Sequence, residues 1–191
     1  MTLESDIRSL VERIVDEAVS APAVHREDSP LPRKVALGAD HGGYALKERL
    51  AAHLGDQGFE VVDCGTSSAE SVDYPDFAHE VAQQVARGHC DCGVIVDGAG
   101  IGSSMVANKV PGIRSALCYD VSSACNSREH NHANVLTLGA GLIGEGLARQ
   151  IVDAWLTTPW GGGRHARRVE KISEVEETYL RIGSSGVRSG A

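Results

Sequence analysis

Length, composition and charge narrow the classes of protein to which this chain can belong. Its 191 residues suffice for one domain with a substantial core, and 42% are hydrophobic but only 4% aromatic, so aliphatic side chains must fill that core. The net charge of −8 argues against binding to nucleic acid, and the sequence has no apolar run long enough for a membrane span. The N-terminus lacks a secretion-signal pattern and the five cysteines are an odd number, which favours a reduced, cytoplasmic protein.

The first 33 residues are unlike the remainder of the chain. Residues 1–17 predict an amphipathic helix, because apolar residues recur at helical spacing: Ile7, Leu10, Val11, Ile14 and Val15. Residues 18–33 contain three prolines among small and polar residues, which predicts a flexible linker. Such a helix can dock on a partner protein, pack on the body of its own chain or form an oligomer contact.

From residue 34 onward, strand and helix patterns alternate. Strands are predicted over 35–37, 60–62, 93–96, 115–119 and 135–138, and helices over 44–54, 77–86, 103–108, 122–129 and 144–155. Five such repeats with continuously apolar strands predict an α/β fold, a Rossmann-like three-layer αβα sandwich with a five-stranded parallel sheet. A further helical pattern covers 164–181, so the domain is expected over 34–182, with a disordered Gly/Ser-rich tail over 183–191.

Two of the loops predicted at the carboxyl edge of the sheet carry polar groups beside glycines. Asp40 and His41 follow the first strand, where Asp40 can either cap a helix or face a ligand. Asp97 follows the third strand and precedes a loop that is suited to an anion: Gly98, Ala99, Gly100, Ile101 and Gly102. A dinucleotide site would place its glycines after the first strand, so we discount a nucleotide. Asp97 can be a buried cap or a carboxylate base.

Basic residues near the ends of two helices are further candidates. His130 can shuttle a proton at neutral pH or play a structural part. Arg164 and Arg168 are spaced to share one helix face, which suits a phosphate, although a solvated basic surface has the same pattern. Cys90 and Cys92 have no second pair of ligands, so we expect no metal site.

Several segments together resemble the ribose-5-phosphate isomerase B and galactose-6-phosphate isomerase family. They are GADHGGYALK at 38–47, DCGT at 63–66, DYP at 73–75, GAGIG at 98–102, SREHNHANVLTLG at 127–139 and GGRHARRV at 162–169. The resemblance spans about 34–172 and implies an aldose–ketose isomerase of a sugar phosphate, without metal or organic cofactor, in a homodimer or homotetramer with shared sites.

The resemblance also implies a role for each matching residue. Asp40 and His41 would bind the sugar, and His130 would open its ring. Tyr74 and Asn131 would contact the substrate, the amides of Gly98–Gly102 would stabilise an enediolate, and Arg164 and Arg168 would hold the phosphate.

The chain departs from the family pattern at two positions, which leaves the sugar open. Asp97 stands where many members carry a cysteine base, so Asp97 is the candidate base, and Gly141 stands where members often have an arginine. The simplest substrate is ribose 5-phosphate, and the alternatives are a tetrose phosphate or a hexose 6-phosphate. A further alternative is that the chain is a non-catalytic subunit that binds a sugar phosphate. Residues 1–17 with their linker resemble the encapsulation peptides of bacterial microcompartment enzymes, which implies a shell protein as a partner.

Overall fold

The computed structural model describes residues 32–186, with side chains as far as residue 181. The predicted helix over 1–17, most of the predicted linker and positions 187–191 lie outside the described residues. Five strands form one sheet in the order β2-β1-β3-β5-β4, with every neighbouring pair parallel. They are β1 (Lys34–Ala39), β2 (Glu60–Asp63), β3 (Cys92–Asp97), β4 (Ser115–Leu117) and β5 (Val135–Gly139).

The burial of the strands follows from this order. The three inner strands, β1, β3 and β5, are buried almost throughout, because helices cover both faces of the sheet. The edge strands β2 and β4 are only half-buried. Continuous apolar sequence therefore marks the three inner strands, whereas the sequence analysis expected it in all five.

Six α-helices lie within the described residues. They are α1 (Tyr44–Asp56), α2 (Tyr74–Ala86), α3 (Ile101–Ala107), α4 (Val121–Asn131), α5 (Glu145–Thr157) and α6 (Ala166–Gly186). The cluster on one face of the sheet includes residues of α1, α4 and α5, among them the fully buried Trp155. The cluster on the other face contains residues of α2 and α3. The prediction of a Rossmann-like three-layer αβα sandwich is confirmed.

Some boundaries differ from the sequence prediction. Helix α2 begins at Tyr74, three positions before the predicted start, because Pro75 is well suited to a first helical turn. Arg33, at the end of the predicted linker, already joins the body: its backbone N–H donates to Asp91 Oδ2 over 2.9 Å. Helix α6 continues to Gly186, so the first positions of the predicted tail are helical.

The strand order places two loops side by side at the carboxyl edge of the sheet. Strands β1 and β3 are adjacent, and the chain leaves them in opposite directions across the sheet, which creates the crevice where ligands bind in folds of this kind. No helix among the described residues is long and apolar enough to cross a membrane.

Candidate active site

The loop after β1 holds Asp40 and His41 beside the glycine loop of β3. The Asp40 carboxylate is buried, and its Oδ1 accepts a hydrogen bond of 3.0 Å from the Gly43 N–H. Its Oδ2 lies 3.9 Å from Nδ1 of His41. A Cβ placed on Gly42 would lie 3.5 Å from the Gly98 amide nitrogen, so this backbone borders the glycine loop. One oxygen of Asp40 thus shapes the loop, while the other faces His41.

His41 is exposed and is anchored by a distant segment. Its Nδ1 lies 3.2 Å from both the carbonyl oxygen and the amide nitrogen of Val72, so either tautomer finds a partner. Val72 lies just before Tyr74, the first residue of α2. The ring of Tyr74 packs on the glycine loop, where a Cβ on Gly102 would lie 2.5 Å from Tyr74 Cζ. His41, Tyr74 and the glycine loop therefore share one edge of the sheet.

Asp97 is buried and accepts hydrogen bonds at both carboxylate oxygens. Its Oδ1 accepts from the amides of Ala99, over 2.7 Å, and Gly100, and its Oδ2 accepts from the amide of Ser103, over 3.2 Å, and from the Ser103 hydroxyl. The four acceptor positions of the carboxylate are thereby filled. Asp97 organises the turn between β3 and α3, which is the role of a buried cap that the sequence analysis considered. A role as catalytic base would be additional to this structural role.

This arrangement changes the expectation for the loop amides. The N–H groups of Ala99 and Gly100 point at Asp97, so they are not directed at a ligand, as the resemblance implied for the whole loop. The amides of Ile101 and Gly102 belong to the first turn of α3, where helical N–H groups lack an intrahelical acceptor. No acceptor for these two amides lies within the described part of the chain. They remain the donors that a bound oxyanion can use.

A platform of backbone from β5 supports the glycine loop from below. The amides of Ala140 and Gly141 donate to the carbonyls of Asp97 and Gly98 over 2.8 and 3.0 Å. The contact is so close that a Cβ on Gly141 would lie 2.9 Å from the Gly98 carbonyl oxygen. At position 141, where the chain departs from the family pattern, the backbone thus lies so close to the Gly98 carbonyl that no room is left for a side chain.

Lys47 lies under the loop that follows β2, and its ammonium forms ion pairs with two acidic side chains. Its ammonium is buried and lies 2.9 Å from Glu48 Oε1, and it also donates to Asp63 Oδ2. Burial alone would lower the pKa of Lys47, but the hydrogen bonds to Asp63 and Glu48 outweigh it and raise that pKa above 10.5. Lys47 therefore anchors the loop and does not present a charge to a phosphate.

The second group of predicted residues lines a cleft of about 240 Å³ between α4 and α6. His130, Asn131 and Arg168 line it together with the unpredicted residues Asn126 and His165. The rings of His130 and His165 stack with centroids 4.2 Å apart, and His130 Nδ1 lies 2.8 Å from the Asn126 amide nitrogen. Partial desolvation, followed by the nearby charges of His130 and the arginines, lowers the pKa of His165 below 6.5.

Arg164 occupies a different element from the predicted one. It lies in a short 3₁₀ turn, Gly163–His165, that precedes α6, so the spacing of four residues on one α-helix does not relate it to Arg168. Its Nε donates to the ring of His165 over 3.3 Å. Both arginines are exposed and remain near one another through His165. A cationic surface that suits a phosphate therefore begins at the turn and continues into the helix.

The structure thus gathers the predicted residues into two groups. Asp40, His41, Tyr74 and the loop from Asp97 to Gly102 form the group at the sheet edge, which we call the loop group. His130, Asn131, Arg164 and Arg168 form the other, which we call the histidine group. Over residues 32–186, no hydrogen bond or ion pair joins a member of one group to a member of the other.

Comparisons with known proteins agree with this architecture. The family model described as Ribose/Galactose Isomerase matches residues 35–172. The chain belongs to the ribose/galactose isomerase family. It is 48% identical to ribose-5-phosphate isomerase B of Escherichia coli K12, over 76% of this chain and 97% of that protein. It is 40% identical to ribose-5-phosphate isomerase B of Mycobacterium tuberculosis H37Rv, over 76% and 91%.

Solved structures of the same family have the same fold. The structure of Clostridium thermocellum ribose-5-phosphate isomerase B is similar with a TM-score of 0.76 and 53% identity, over 76% of this chain and 99% of that one. The type B ribose 5-phosphate isomerase of Trypanosoma cruzi gives a TM-score of 0.75 and 47% identity, over 77% and 98%. The matched part is the sandwich with both groups, and the family match begins only after the N-terminal segment.

Two residues near these groups were not singled out from the sequence. His165 lies inside the GGRHARRV segment, and its position between Arg164 and Arg168 in the sequence could have identified it as a candidate. Tyr119 donates its hydroxyl to the carbonyl of Ala99 over 2.6 Å, and it follows the end of β4, a position where ligand-edge residues are expected.

Proposed function

We propose that the chain interconverts ribose 5-phosphate and ribulose 5-phosphate. The observation that carries the proposal is a buried carboxylate, Asp97, at the base of a loop whose Ile101 and Gly102 amides are open to an oxyanion. An isomerase of this type must move a proton between two adjacent carbons and stabilise the enediolate between them. The names of the relatives, which are ribose-5-phosphate isomerases B, favour the pentose.

The residues divide the reaction into three tasks. His130, as an acid, protonates the ring oxygen, the bond from C1 to that oxygen breaks, and the anomeric hydroxyl passes its proton to His41 as the C1 carbonyl forms; Asp40 and His41 also hold the sugar hydroxyls. Asp97 removes the proton from C2 and returns it to C1, and the O2 proton moves to O1 on the other side of the enediolate. The amides of Ile101 and Gly102 bind the enediolate oxygen, Tyr74 and Asn131 contact the sugar, and Arg164 and Arg168 hold the phosphate.

Asp97 can accept the carbon-bound proton only if one of its present donors gives way. The three amides are fixed by the backbone of the turn, whereas the Ser103 hydroxyl can rotate about its side-chain torsion. The Ser103 hydroxyl is therefore the donor that can give way when Asp97 takes up the proton. Ser103→Ala removes that donor and leaves the amides in place.

The base assignment is tested with three variants of the purified chain. Asp97→Asn should lower kcat by about 10²–10⁴-fold, which is the usual contribution of a general base. Asp97→Cys should keep measurable turnover because a thiolate can take the same proton. Ser103→Ala is the matched control and should retain at least wild-type kcat. If Asp97→Asn turns over any tested sugar phosphate at nearly the wild-type rate, Asp97 is not the base.

The substrate is tested with a coupled assay over a tetrose 4-phosphate, ribose 5-phosphate and a hexose 6-phosphate. The glycine at 141, which removes the position of a family arginine, is the observation that keeps a different sugar phosphate as the alternative. The highest kcat/KM for ribose 5-phosphate supports the proposal. A higher value for another sugar phosphate replaces the substrate, and binding without turnover in all assays makes the chain a sugar-phosphate-binding subunit.

We also propose that two copies of the chain share their active sites. The loop group and the histidine group are unconnected within the described residues, and α6 carries exposed apolar side chains that a second copy would cover: Ile172, Val175, Tyr179 and Leu180. The half-buried edge strand β4 borders an open cleft of about 660 Å³, which is a further surface for a second copy. A homodimer is the simplest arrangement, and a homotetramer repeats it.

Subunit mixing tests the sharing directly. Asp97→Asn disables the loop group and Arg168→Ala disables the histidine group, so each homodimer should be weakly active. After unfolding and refolding together, mixed dimers with shared sites contain one intact site, which gives about one quarter of wild-type activity at random pairing. Sites formed within one chain would remain inactive in every mixture, and that result would contradict the proposal.

The location of the chain is a separate proposal. We infer that it works in the cytoplasm and that residues 1–17 direct it into a bacterial microcompartment, since their amphipathic pattern suits docking in a groove of a shell protein. Residues 1–20 fused to a fluorescent protein should form foci in cells that produce shells. A fusion that stays diffuse there, while the shells are intact, would argue against targeting.

A further inference from the structure

One peptide unit of the glycine loop is held at both of its ends. The carbonyl oxygen of Ala99 accepts a hydrogen bond of 2.6 Å from the Tyr119 hydroxyl, and the N–H of Gly100 donates to Asp97 Oδ1. The carbonyl and the N–H of a trans peptide lie in one plane and point in opposite directions. The two hydrogen bonds therefore act on a single rigid group, from opposite sides.

The backbone at this position does not fix the orientation of that peptide by itself. Gly100 has φ of +77°, and glycine adopts positive and negative φ with similar ease. Rotation of the peptide between Ala99 and Gly100 by about half a turn is thus open to the chain. It would withdraw the Gly100 N–H from Asp97 and turn the Ala99 carbonyl oxygen towards the carboxylate. The partial negative charge of that oxygen and the charge of the carboxylate would then repel each other.

Tyr119 is placed to prevent this rotation. It follows the end of β4, and its half-buried ring packs against the larger core cluster, so strand and core together set the position of the hydroxyl. Beneath the same peptide lies the backbone of Gly139, where an added Cβ would be 2.7 Å from the Ala99 carbonyl oxygen. Among the described residues, Tyr119 is the one hydrogen-bond donor to that oxygen.

We propose that Tyr119 is a positioning residue that, together with Asp97, locks the orientation of the peptide between Ala99 and Gly100. The lock keeps the Gly100 amide on Asp97 and thereby holds that carboxylate and the following amides in the geometry that the isomerase reaction uses. The catalytic part of this inference depends on the proposed function. The orientation of the peptide does not depend on it and is measured separately.

Tyr119→Phe tests the proposal because it removes the hydroxyl and keeps the ring that packs on the core. Tyr44→Phe is the matched control: this tyrosine also lies near the carboxyl edge, and its ring keeps its place 5.5 Å from the Lys47 ammonium without a hydroxyl. Hydrogen exchange of the Gly100 amide, followed by NMR in the full chain, reports the lock. We expect exchange about tenfold faster in Tyr119→Phe and unchanged in Tyr44→Phe.

Steady-state kinetics provides the second measurement. A misplaced carboxylate and loop lower transition-state binding more than ground-state binding, so kcat should fall about tenfold in Tyr119→Phe while KM stays within about twofold. Tyr44→Phe should match the wild type. A crystal structure of Tyr119→Phe would show the Ala99 carbonyl rotated or in two orientations, which separates loss of the lock from a general loss of stability.

The possible outcomes decide the matter in both directions. Unchanged Gly100 exchange in Tyr119→Phe overturns the proposal, even if kcat falls, because the tyrosine would then act by another route. Faster exchange without a change in kcat overturns the catalytic part. If the wild-type chain isomerises no sugar phosphate, the proposed function fails, whereas faster exchange would still establish the lock.

Discussion

Gly139→Ala is the most direct test of how closely the glycine loop must rest on β5. A Cβ at position 139 would lie 2.7, 2.8 and 2.9 Å from the carbonyl oxygen, carbonyl carbon and Cα of Ala99. All three atoms belong to the backbone, so no side-chain rotation can relieve the contact. The loop must move away by several tenths of an ångström, and Asp97 and the amides of α3 move with it.

The expected cost has a structural and a kinetic part. Overpacking of this kind costs about 1–3 kcal/mol, which lowers the melting temperature by roughly 2–12 °C for a domain of this size. A displacement approaching 1 Å can reduce turnover by about 10²-fold, so a smaller one should lower kcat by about tenfold.

Thermal unfolding at fixed protein concentration and the coupled isomerase assay measure the two parts. Gly146→Ala is the matched control, because this exposed glycine in the first turn of α5 has nothing within 4 Å of an added Cβ. Alanine there should raise stability by about 0.5–1 kcal/mol and leave kcat unchanged. If Gly139→Ala melts within 1 °C of the wild type and keeps its kcat, the loop does not depend on this contact.

Three further predictions follow from groups outside the loop. Burial raises the pKa of the Cys92 thiol to about 12 from 9.0. The contribution of this thiol to stability is therefore present below pH 9 and declines above it, because the thiol ionises in the unfolded chain but not in the native one. The urea midpoint should fall between about pH 9 and 10.5, and it should fall less steeply in Cys92→Ala. An NMR titration of His165 should show its pKa rising when a phosphate ligand binds, since a dianion favours the charged ring, and an unchanged pKa would place the phosphate elsewhere. Trp155→Phe should lower the free energy of unfolding by about 1–3 kcal/mol in urea denaturation, because the fully buried indole donates to the Ser127 hydroxyl over 3.1 Å. The control Trp160→Phe keeps a ring that can stack on His132 and should cost less than about 1 kcal/mol.

The fold could be predicted because its inner strands are unambiguous. Strands β1, β3 and β5 are continuous apolar runs, and their burial on both faces requires the helices that the intervening sequence supplies. The edge strand β4 was predicted to end at Tyr119 but ends at Leu117, since an edge strand lacks a second neighbour to extend its ladder. The proximity of Asp40 to the glycine loop could also be predicted, because parallel strands bring their carboxyl ends to one edge.

The detail of the site could not be predicted from the residues alone. The direction of the Ala99 and Gly100 amides depends on the positive φ of Gly100, which the sequence permits but does not require. The hydrogen bond from Tyr119 depends on the order of β4 and β5 in the sheet, which no local pattern encodes. Arg164 lies in a 3₁₀ turn because Gly162 and Gly163 have positive φ just before the helix begins.

Helix α6 follows three consecutive glycines, Gly161–Gly163, and meets its own chain at the adjoining 3₁₀ turn, at the cleft beside α4 and through Glu176, which accepts a hydrogen bond from the Gly112 N–H over 2.9 Å. Most of the stability of a helix in a protein comes from the packing of its apolar face, so whatever covers the apolar side of α6 determines how much of it is helical. In a homodimer, each protomer would lend this helix to the other. Dilution below the dissociation constant would then remove helical order and the Arg168 guanidinium together, and the specific activity of the enzyme would depend on its own concentration.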